Sequence, residues 1–382
     1  MKFFSQITKE ILDTLFYQKP QPFTKHSPKE TLQFALGATL YIPATLPNIK
    51  ERLFSPSLRG LSSAVICLED AISDVDVKEA EEKLIFEIRE IHRLTLEGQI
   101  EKQDIPLLFV RVRSVEQLKF LLEELDDASA ALTGIAIPKF SSFNGYSYFE
   151  LIKAHNKTKN SLYALPILES KALIYKETRN EELFALYKMF NTYRDVILNL
   201  RVGATDFSGL YGIRRNVHTS VYDISIIRDV LSDIVNFFGR EDNYFTISAP
   251  VWEFFNKHSI DFGTTHEEVG LIREVQLDLV NGFTGKTIIH PSQIFPIQAL
   301  QVVTYEEYID ACTIIKGSET QNGVMKSEYS NKMNECKPHL FWAKKILMKS
   351  KVYGVLYEQR TYNDLLSTAT NISNSKECIS KG

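Results

Sequence analysis

The chain has 382 residues, 44% of them apolar, and its 44 basic and 48 acidic residues leave a formal net charge of −4. That size allows one large core of roughly 250–300 residues with appendages, and the near-neutral balance gives no electrostatic case for a nucleic-acid partner or a membrane surface. No apolar run reaches the roughly 18 residues of a membrane span. Cys67, Cys312, Cys336 and Cys378 have no CxxC spacing, so neither a zinc site nor a disulfide framework is expected and a reducing, cytoplasmic setting is the default.

Residues 1–36 read as an N-terminal extension with one amphipathic helix over 6–17. Its stripe of Ile7, Ile11, Leu12 and Leu15 is expected to pack on the main domain or a neighbouring subunit. The segment lacks the apolar core of a signal peptide. Eight short apolar runs with strand character follow, at 38–43, 64–68, 106–112, 134–138, 161–168, 195–202, 244–249 and 286–289. Several are nearly continuous rather than alternating, as expected of parallel strands covered on both sides.

Helical patterns separate most of these runs. Asp76 reads as the N-cap of 77–96, with Glu79 as its capping-box partner. Ser114 opens 115–125, where Leu118, Leu121, Leu122 and Leu125 form one stripe. Residues 179–192 carry Leu183, Leu186, Tyr187 and Phe190 on one face, and 223–238 and 266–281 repeat the pattern. Residues 44–60 read as a short helical link. Eight strands alternating with helices predict an α/β fold, a (β/α)₈ TIM barrel over 37–300 with N- and C-terminal helical extensions. The C-terminal extension, 301–360, is clearest at 305–315 and 337–348. Residues 361–382, rich in Ser, Thr and Asn, are expected to be a mobile tail.

Barrels of this kind build their sites at the carboxyl ends of the strands, and charge gathers there. The second strand ends in Glu69-Asp70, the third in Arg111-Val112-Arg113, the fourth in Pro138-Lys139, the fifth in Glu169, the sixth in Gly203-Ala204-Thr205-Asp206 and the eighth in His290-Pro291. A carboxylate closing a buried strand is costly unless it is paired or ligates something. Glu169 and Asp206, on successive strand ends, therefore point to one hard-cation site for Mg²⁺, with Mn²⁺ as the other candidate. Arg111 would clamp a substrate carboxylate or oxo group through its planar fork. Gly203, Ala204 and Thr205 would let the backbone approach an anion and donate N–H groups to it. Glu69 and Asp70 would act directly on the reaction, cap the next helix or hold Arg111.

Other residues keep two readings each. Lys139 is an anion contact or a structural ion pair. Arg201, inside a strand, is a second anion contact or the partner of a buried acid. His290 touches ligand or closes a turn. Arg214 and Arg215 hold phosphate or are solvated, and a phosphate reading requires that they converge with Arg201 on one pocket. Trp252 and Phe254 read as packing in the barrel mouth.

Seven segments, in order, resemble the citrate lyase β-subunit-like group of the HpcH/HpaI aldolase superfamily. Ala38–Ala44 is similar to its "LYVPG" strand, Val65–Ala71 to "DLEDAV", Phe109–Val112 to "VRVN" and Ile137–Lys139 to "LPKV". Ile167–Ser170 is similar to "IET", Val202–Asp206 to "FGAED", and Gly282–Gln293 to "GFxGKxxIHPxQ". The resemblance implies Mg²⁺ on Glu169 and Asp206, an oxo acid on Arg111, and its carboxylate on backbone amides of Gly203–Asp206. It also implies reversible aldol or Claisen chemistry on 2-oxo acids or acyl-CoA thioesters, in a homo-oligomer, trimeric or hexameric. The chain departs at Gly37-Ala38, where the group has Arg-Ser; at Cys67, where it has an acid; and at Val251-Trp252-Glu253, where it has "AID". Within the superfamily it more closely resembles the divergent carbon–carbon bond lyases of bacterial tellurite-resistance gene clusters.

The expected activity is a Mg²⁺-dependent carbon–carbon lyase or aldolase acting on a small oxo acid, hydroxy acid or thioester through a stabilised enolate. The alternatives are phosphoenolpyruvate- or pyruvate-type phosphate-linked or hydrolytic chemistry in the same barrel, and a non-catalytic binding barrel.

Overall fold

The computed structural model describes residues 1–70, 72–257, 262–319, 324–326 and 333–370. Eight parallel strands form one sheet: β1 (Ala38–Pro43), β2 (Ser63–Cys67), β3 (Leu107–Arg111), β4 (Gly134–Ile137), β5 (Tyr163–Leu168), β6 (Leu200–Val202), β7 (Ile247–Ser248) and β8 (Lys286–Ile288). Neighbours pair in chain order from β1 to β7, and β8 pairs with β1. A parallel bridge between Ala249 and Lys286 brings β7 to β8 and closes the ring. The expected TIM barrel is the observed fold, with every strand at its predicted place. Strands six and seven are shorter than their apolar runs.

Register decides which side chains can meet. Tyr41 pairs with Val65, Val65 with Phe109, Cys67 with Arg111, Arg111 with Ala136 and Ile167 with Arg201, while Thr39 pairs with Thr287. Successive residues of a strand face opposite sides. The residues paired in this register therefore point into the barrel. Those that alternate with them, such as Leu40, Ile66, Val110 and Ile137, are buried against the helices in the larger core.

The helices Val77–Leu96 and Val115–Leu125 fall where the periodicity puts them. Ser114 caps the second by accepting from the Gln117 N–H at 3.2 Å. Asp76 makes no side-chain cap; it accepts instead from Ser73 Oγ at 2.6 Å, so the expected capping box is absent. The helices Lys176–Thr192, Ser225–Phe238 and His266–Val280 complete the predicted set. One further helix, Gly145–Thr158, fills the β4–β5 crossover. No described helix is long and apolar enough to cross a membrane.

The termini meet beneath the barrel. The N-terminal helix is Lys9–Leu15, and the chain then turns into a short strand, Phe16–Gln18, rather than continuing as helix to residue 17. That strand pairs antiparallel with Val355–Leu356. Phe3, Phe4, Phe16 and Phe34 share a second core with Tyr353 and Leu356 and with the inward residues Val65, Leu107, Phe109 and Leu165. The C-terminal helices Tyr305–Glu319 and Cys336–Tyr353 cover the expected pair. Residues 362–370 are helical, not a mobile tail, because Leu365 and Leu366 are buried in that second core. Residues 371–382, including Cys378, lie outside the described residues.

Candidate active site

A cavity of about 500 Å³ opens at the carboxyl ends of the strands. Its walls come from the ends of β1, β2, β3, β5, β6 and β8: Tyr41, Cys67, Asp70, Arg111, Glu169, Arg201, Gly203, Ala204, Thr205, Asp206 and Thr287 among others. Residues far apart in the chain reach it because parallel strands place all their carboxyl ends on one face.

Glu169 follows β5 and Asp206 lies in the first turn of the short helix Ala204–Gly209 after β6. Their carboxyl groups are within side-chain hydrogen-bond reach of each other. Glu169 is 5% exposed and accepts the Lys139 N–H on Oε1 at 2.8 Å. Burial, with repulsion from Asp206, pushes Glu169 up to about 8. Burial, with the charge of Asp70, also raises Asp206 above the ordinary carboxylate range. A buried and a half-buried carboxyl that cannot both ionise unaided are what one dication would relieve. Gly203 makes the approach possible, since a Cβ there would collide with the Glu169 carboxylate. No group of three or more His, Cys, Asp or Glu side chains suited to a metal occurs among the described residues. A two-carboxylate oxygen site fits Mg²⁺, which keeps several waters, better than a closed transition-metal cage.

Beside this pair stands a quartet of charges. Arg111 Nη1 lies 3.2 Å from Glu69 Oε2 and 3.1 Å from Asp70 Oδ2, and its Nε donates to Cys67 Sγ at 3.2 Å. Lys139 Nζ donates to Glu69 Oε1 and lies 3.4 Å from Asp70 Oδ1. The Lys139 backbone is left-handed (φ 47°), a region rarely used by residues with a Cβ, and in it the N–H meets Glu169. Burial opposes the charge of Lys139, but Glu69 and Asp70 outweigh it and raise the ammonium above its usual range. Burial alone would raise Asp70; Arg111, Glu69 and Lys139 hold it below the ordinary range, so it is ionised at neutral pH.

Arg201 points into the barrel centre. Its Nη1 donates to Thr39 Oγ1 at 3.2 Å and Nη2 to Thr287 Oγ1 at 2.6 Å. The Tyr41 ring lies under both arginines, 5.4 Å from Arg111 and 5.6 Å from Arg201. Among the described residues no buried acid pairs with Arg201, against the reading of it as such a partner. Gly203 spends its N–H on Leu168 O at 3.2 Å, so it supplies space rather than a donor. Ala204 and Thr205, in the first turn of their helix, have N–H groups without intrahelical acceptors.

The remaining candidates lie elsewhere. His290 Nδ1 bonds Ser292 Oγ at 2.8 Å, and its ring stacks on Phe255 at 4.3 Å; it closes a turn. Arg214 is exposed. Arg215 is held by Glu253 at 2.6 Å, by Glu274 and by the Val251 carbonyl at 2.6 Å, with its guanidinium 4.9 Å from the Trp252 ring. Arg201, Arg214 and Arg215 thus do not converge, and the condition set for a phosphate reading is not met. Sequence reasoning missed Thr39, Thr287 and Glu253. Glu253 also accepts from Thr205 Oγ1 at 3.3 Å and so ties the loop after β7 to the loop after β6. Its one signal in the sequence is an acid standing where the resemblance has "AID".

A closed parallel barrel with a carboxylate pair, an ion-paired arginine and backbone N–H groups at one mouth has the layout of a TIM-barrel active site. The comparisons narrow the class. The profile of the C–C bond lyases of the TIM-barrel fold matches residues 30–355; the chain belongs to this family and is a carbon–carbon lyase. A search of curated proteins found no match.

Among solved structures, the chain is similar in fold to CitE from Mycobacterium tuberculosis, solved with magnesium, acetoacetate and coenzyme A. The identity is 16%, the TM-score 0.52, and 83% of this chain and 99% of that one are covered. A citrate lyase from Burkholderia xenovorans LB400 gives 14% identity and a TM-score of 0.61, covering 87% and 96%. Malate synthase from Haloferax volcanii gives 11% and 0.51, covering 71% and 73%.

Proposed function

We propose that this lyase breaks or joins a carbon–carbon bond next to the carbonyl of a 2-oxo or hydroxy acid, with Mg²⁺ held by Glu169 and Asp206. The observation that carries the reading is the convergence of those two carboxyls, thirty-seven positions apart, on one cavity wall with a glycine cut away to admit them. That the CitE structure was solved with magnesium supports the choice of ion.

When bound, the ion supplies Lewis acidity for negative charge developing on a substrate oxygen. The chain's own groups do the rest. Arg111, fixed by Glu69 and Asp70, presents its remaining N–H groups to a carboxylate or oxo group. The Ala204 and Thr205 amides offer neutral donors on the opposite wall. Glu69 and Asp70 position Arg111 and Lys139, and Asp70, half exposed at the mouth and ionised, is placed to accept a proton. Lys139 stays protonated and is therefore no Schiff-base nucleophile.

Calorimetric titration with Mg²⁺ tests this reading. Asp206→Ala and Glu169→Gln should each weaken binding at least about tenfold, abolish turnover and leave the circular dichroism spectrum unchanged. Wild-type Mg²⁺ affinity in either variant would overturn the site.

A further inference from the structure

A second cavity, of about 270 Å³, lies at the amino ends of the strands and shares no residue with the one at the barrel mouth. Ile105 and Pro106, which lead into β3, and Ala130 and Ala131, which precede β4, line it, and the helix Val77–Leu96 adds Thr95 and Leu96. The N-terminal extension contributes Lys25 and His26. His92 and Lys102 complete a set of four basic side chains, and no lining residue is acidic.

Cations close by in the chain are paired. Arg93 meets Glu90 and Glu97, and Lys159 meets Asp126 and Asp127. Among the described residues no carboxylate meets Lys25 or Lys102. A lysine usually carries its ammonium out to water along an apolar stem. Lys25 is instead half-buried, in a turn closed by the Ser27 N–H on Thr24 O at 2.9 Å. Its Nζ donates to the Ala130 and Leu132 carbonyls, the second at 3.2 Å. Carbonyls satisfy the N–H groups but bring no opposite charge. Burial and repulsion from Lys102 push the Lys25 ammonium down to about 8, and burial with the charges of Lys25 and Lys102 lowers His26. Two lysines close enough to repel each other thus face one apolar cavity with no acid in its wall.

We infer that this cavity is a second ligand site, for a small organic anion whose acidic head meets Lys25 and Lys102 and whose apolar body lies against Leu96, Ile105, Pro106 and Ala131. Apolar walls with a few convergent polar groups are the usual build of a small-molecule site, and a volume at the lower end of the range limits the ligand to a small one. An opposite charge there would relieve the repulsion between the two lysines. It would also tie the N-terminal extension to the base of the barrel, so occupancy should stabilise the folded chain. Nothing in this depends on the Glu169–Asp206 site.

Calorimetry and thermal melting of the full chain, without added metal, test this with four probes: octanoate, octyl phosphate, inorganic phosphate and octanol. At least one of the two octyl anions should bind saturably and raise the melting temperature. It should bind at least about tenfold more tightly than octanol, which lacks the charge, and than inorganic phosphate, which lacks the chain. The tighter of the two anions shows whether the head is a carboxylate or a phosphate. Lys102 is exposed, so Lys102→Gln should leave the melting temperature of the free protein unchanged while weakening the anion at least about fivefold. Lys25→Gln should weaken it at least about tenfold, and octanol binding should not change in either variant. A lysine kept only as a brace on the Ala130 and Leu132 carbonyls would lower the melting temperature of Lys25→Gln and leave the affinity of Lys102→Gln as in wild type. Should Lys25→Gln fail to fold, Lys102→Gln decides alone. Absence of saturable binding of either anion, binding of octanol or inorganic phosphate as tight as that of the better anion, or wild-type affinity in either variant overturns the inference.

Discussion

Glu169 and Asp206 make the metal-free protein sensitive to pH in a direction opposite to that of ordinary carboxylates. Glu169 is lifted from its usual 4.5 to about 8, first by burial and then by Asp206. A carboxyl raised in the folded state binds its proton more tightly there than in the unfolded chain. Its contribution to stability is full below pH 4.5 and is lost as pH climbs towards about 8. Mg²⁺ must displace that proton when the pH is below about 8, so its affinity should rise by up to about tenfold per pH unit across this range. The rise in melting temperature on adding Mg²⁺ to protein stripped with a chelator should therefore be larger at about pH 8 than at about pH 6. Equal shifts at both values would show that the pair does not share a proton. Lys139 is biased the other way by Glu69 and Asp70, so within that window it is a fixed positive charge and only the carboxyl pair changes state.

Between β5 and β6 the site depends on one missing methyl group. Gly203 (φ −97°) sits in a backbone region open to any residue, so its need for glycine is steric rather than conformational. Gly203→Ala should push the ends of the two strands apart. The expected cost is about 1–3 kcal/mol of stability and a loss of Mg²⁺ affinity of at least about tenfold. Gly209→Ala, with open space around it, should change neither; a Gly203→Ala protein with wild-type affinity would remove the close approach from the argument.

The strand ends that carry this site were readable because each is short and local: an apolar run followed by an acid, an arginine or a glycine. The environment of Arg201 was not, because Thr39 and Thr287 reach it only through the register of β1 and β8 across the barrel. Arg215 misled in the same way, since Glu253 and Glu274 lie 38 and 59 residues from it. The helix Gly145–Thr158 was missed because Asn144-Gly145 reads as a turn and Tyr146, Tyr148 and Phe149 are weak helix formers; packing of Tyr148, Phe149 and Ile152 in the core overrides that preference.

Across the whole molecule the two extensions do one job; their helices were legible in the sequence, but their shared packing was not. A barrel needs its amino end closed as well as its mouth shaped. Here that end is closed by Phe3 and Phe4 from one terminus and Tyr353 and Leu356 from the other, packed with inward residues of β2 and β3. Phe3 stacks on Tyr353 at 4.5 Å, the Tyr353 hydroxyl donates to the Phe34 carbonyl at 2.7 Å, and Phe4 meets Phe16 and Phe295 at 5.5 and 5.8 Å. No local pattern announces such a plug, because the contacts that join the two termini link residues hundreds of positions apart. None of these four terminal residues lines the cavity, which is built at the opposite end of the strands. Phe4 is fully buried, so Phe4→Ala should cost about 3–5 kcal/mol in denaturant unfolding. The Mg²⁺ affinity of the protein that remains folded should stay unchanged. A loss below about 1 kcal/mol would mean that the N-terminal segment merely rests on the barrel. A drop in Mg²⁺ affinity without a loss of stability would mean instead that the closed end and the mouth are mechanically coupled through the strands between them.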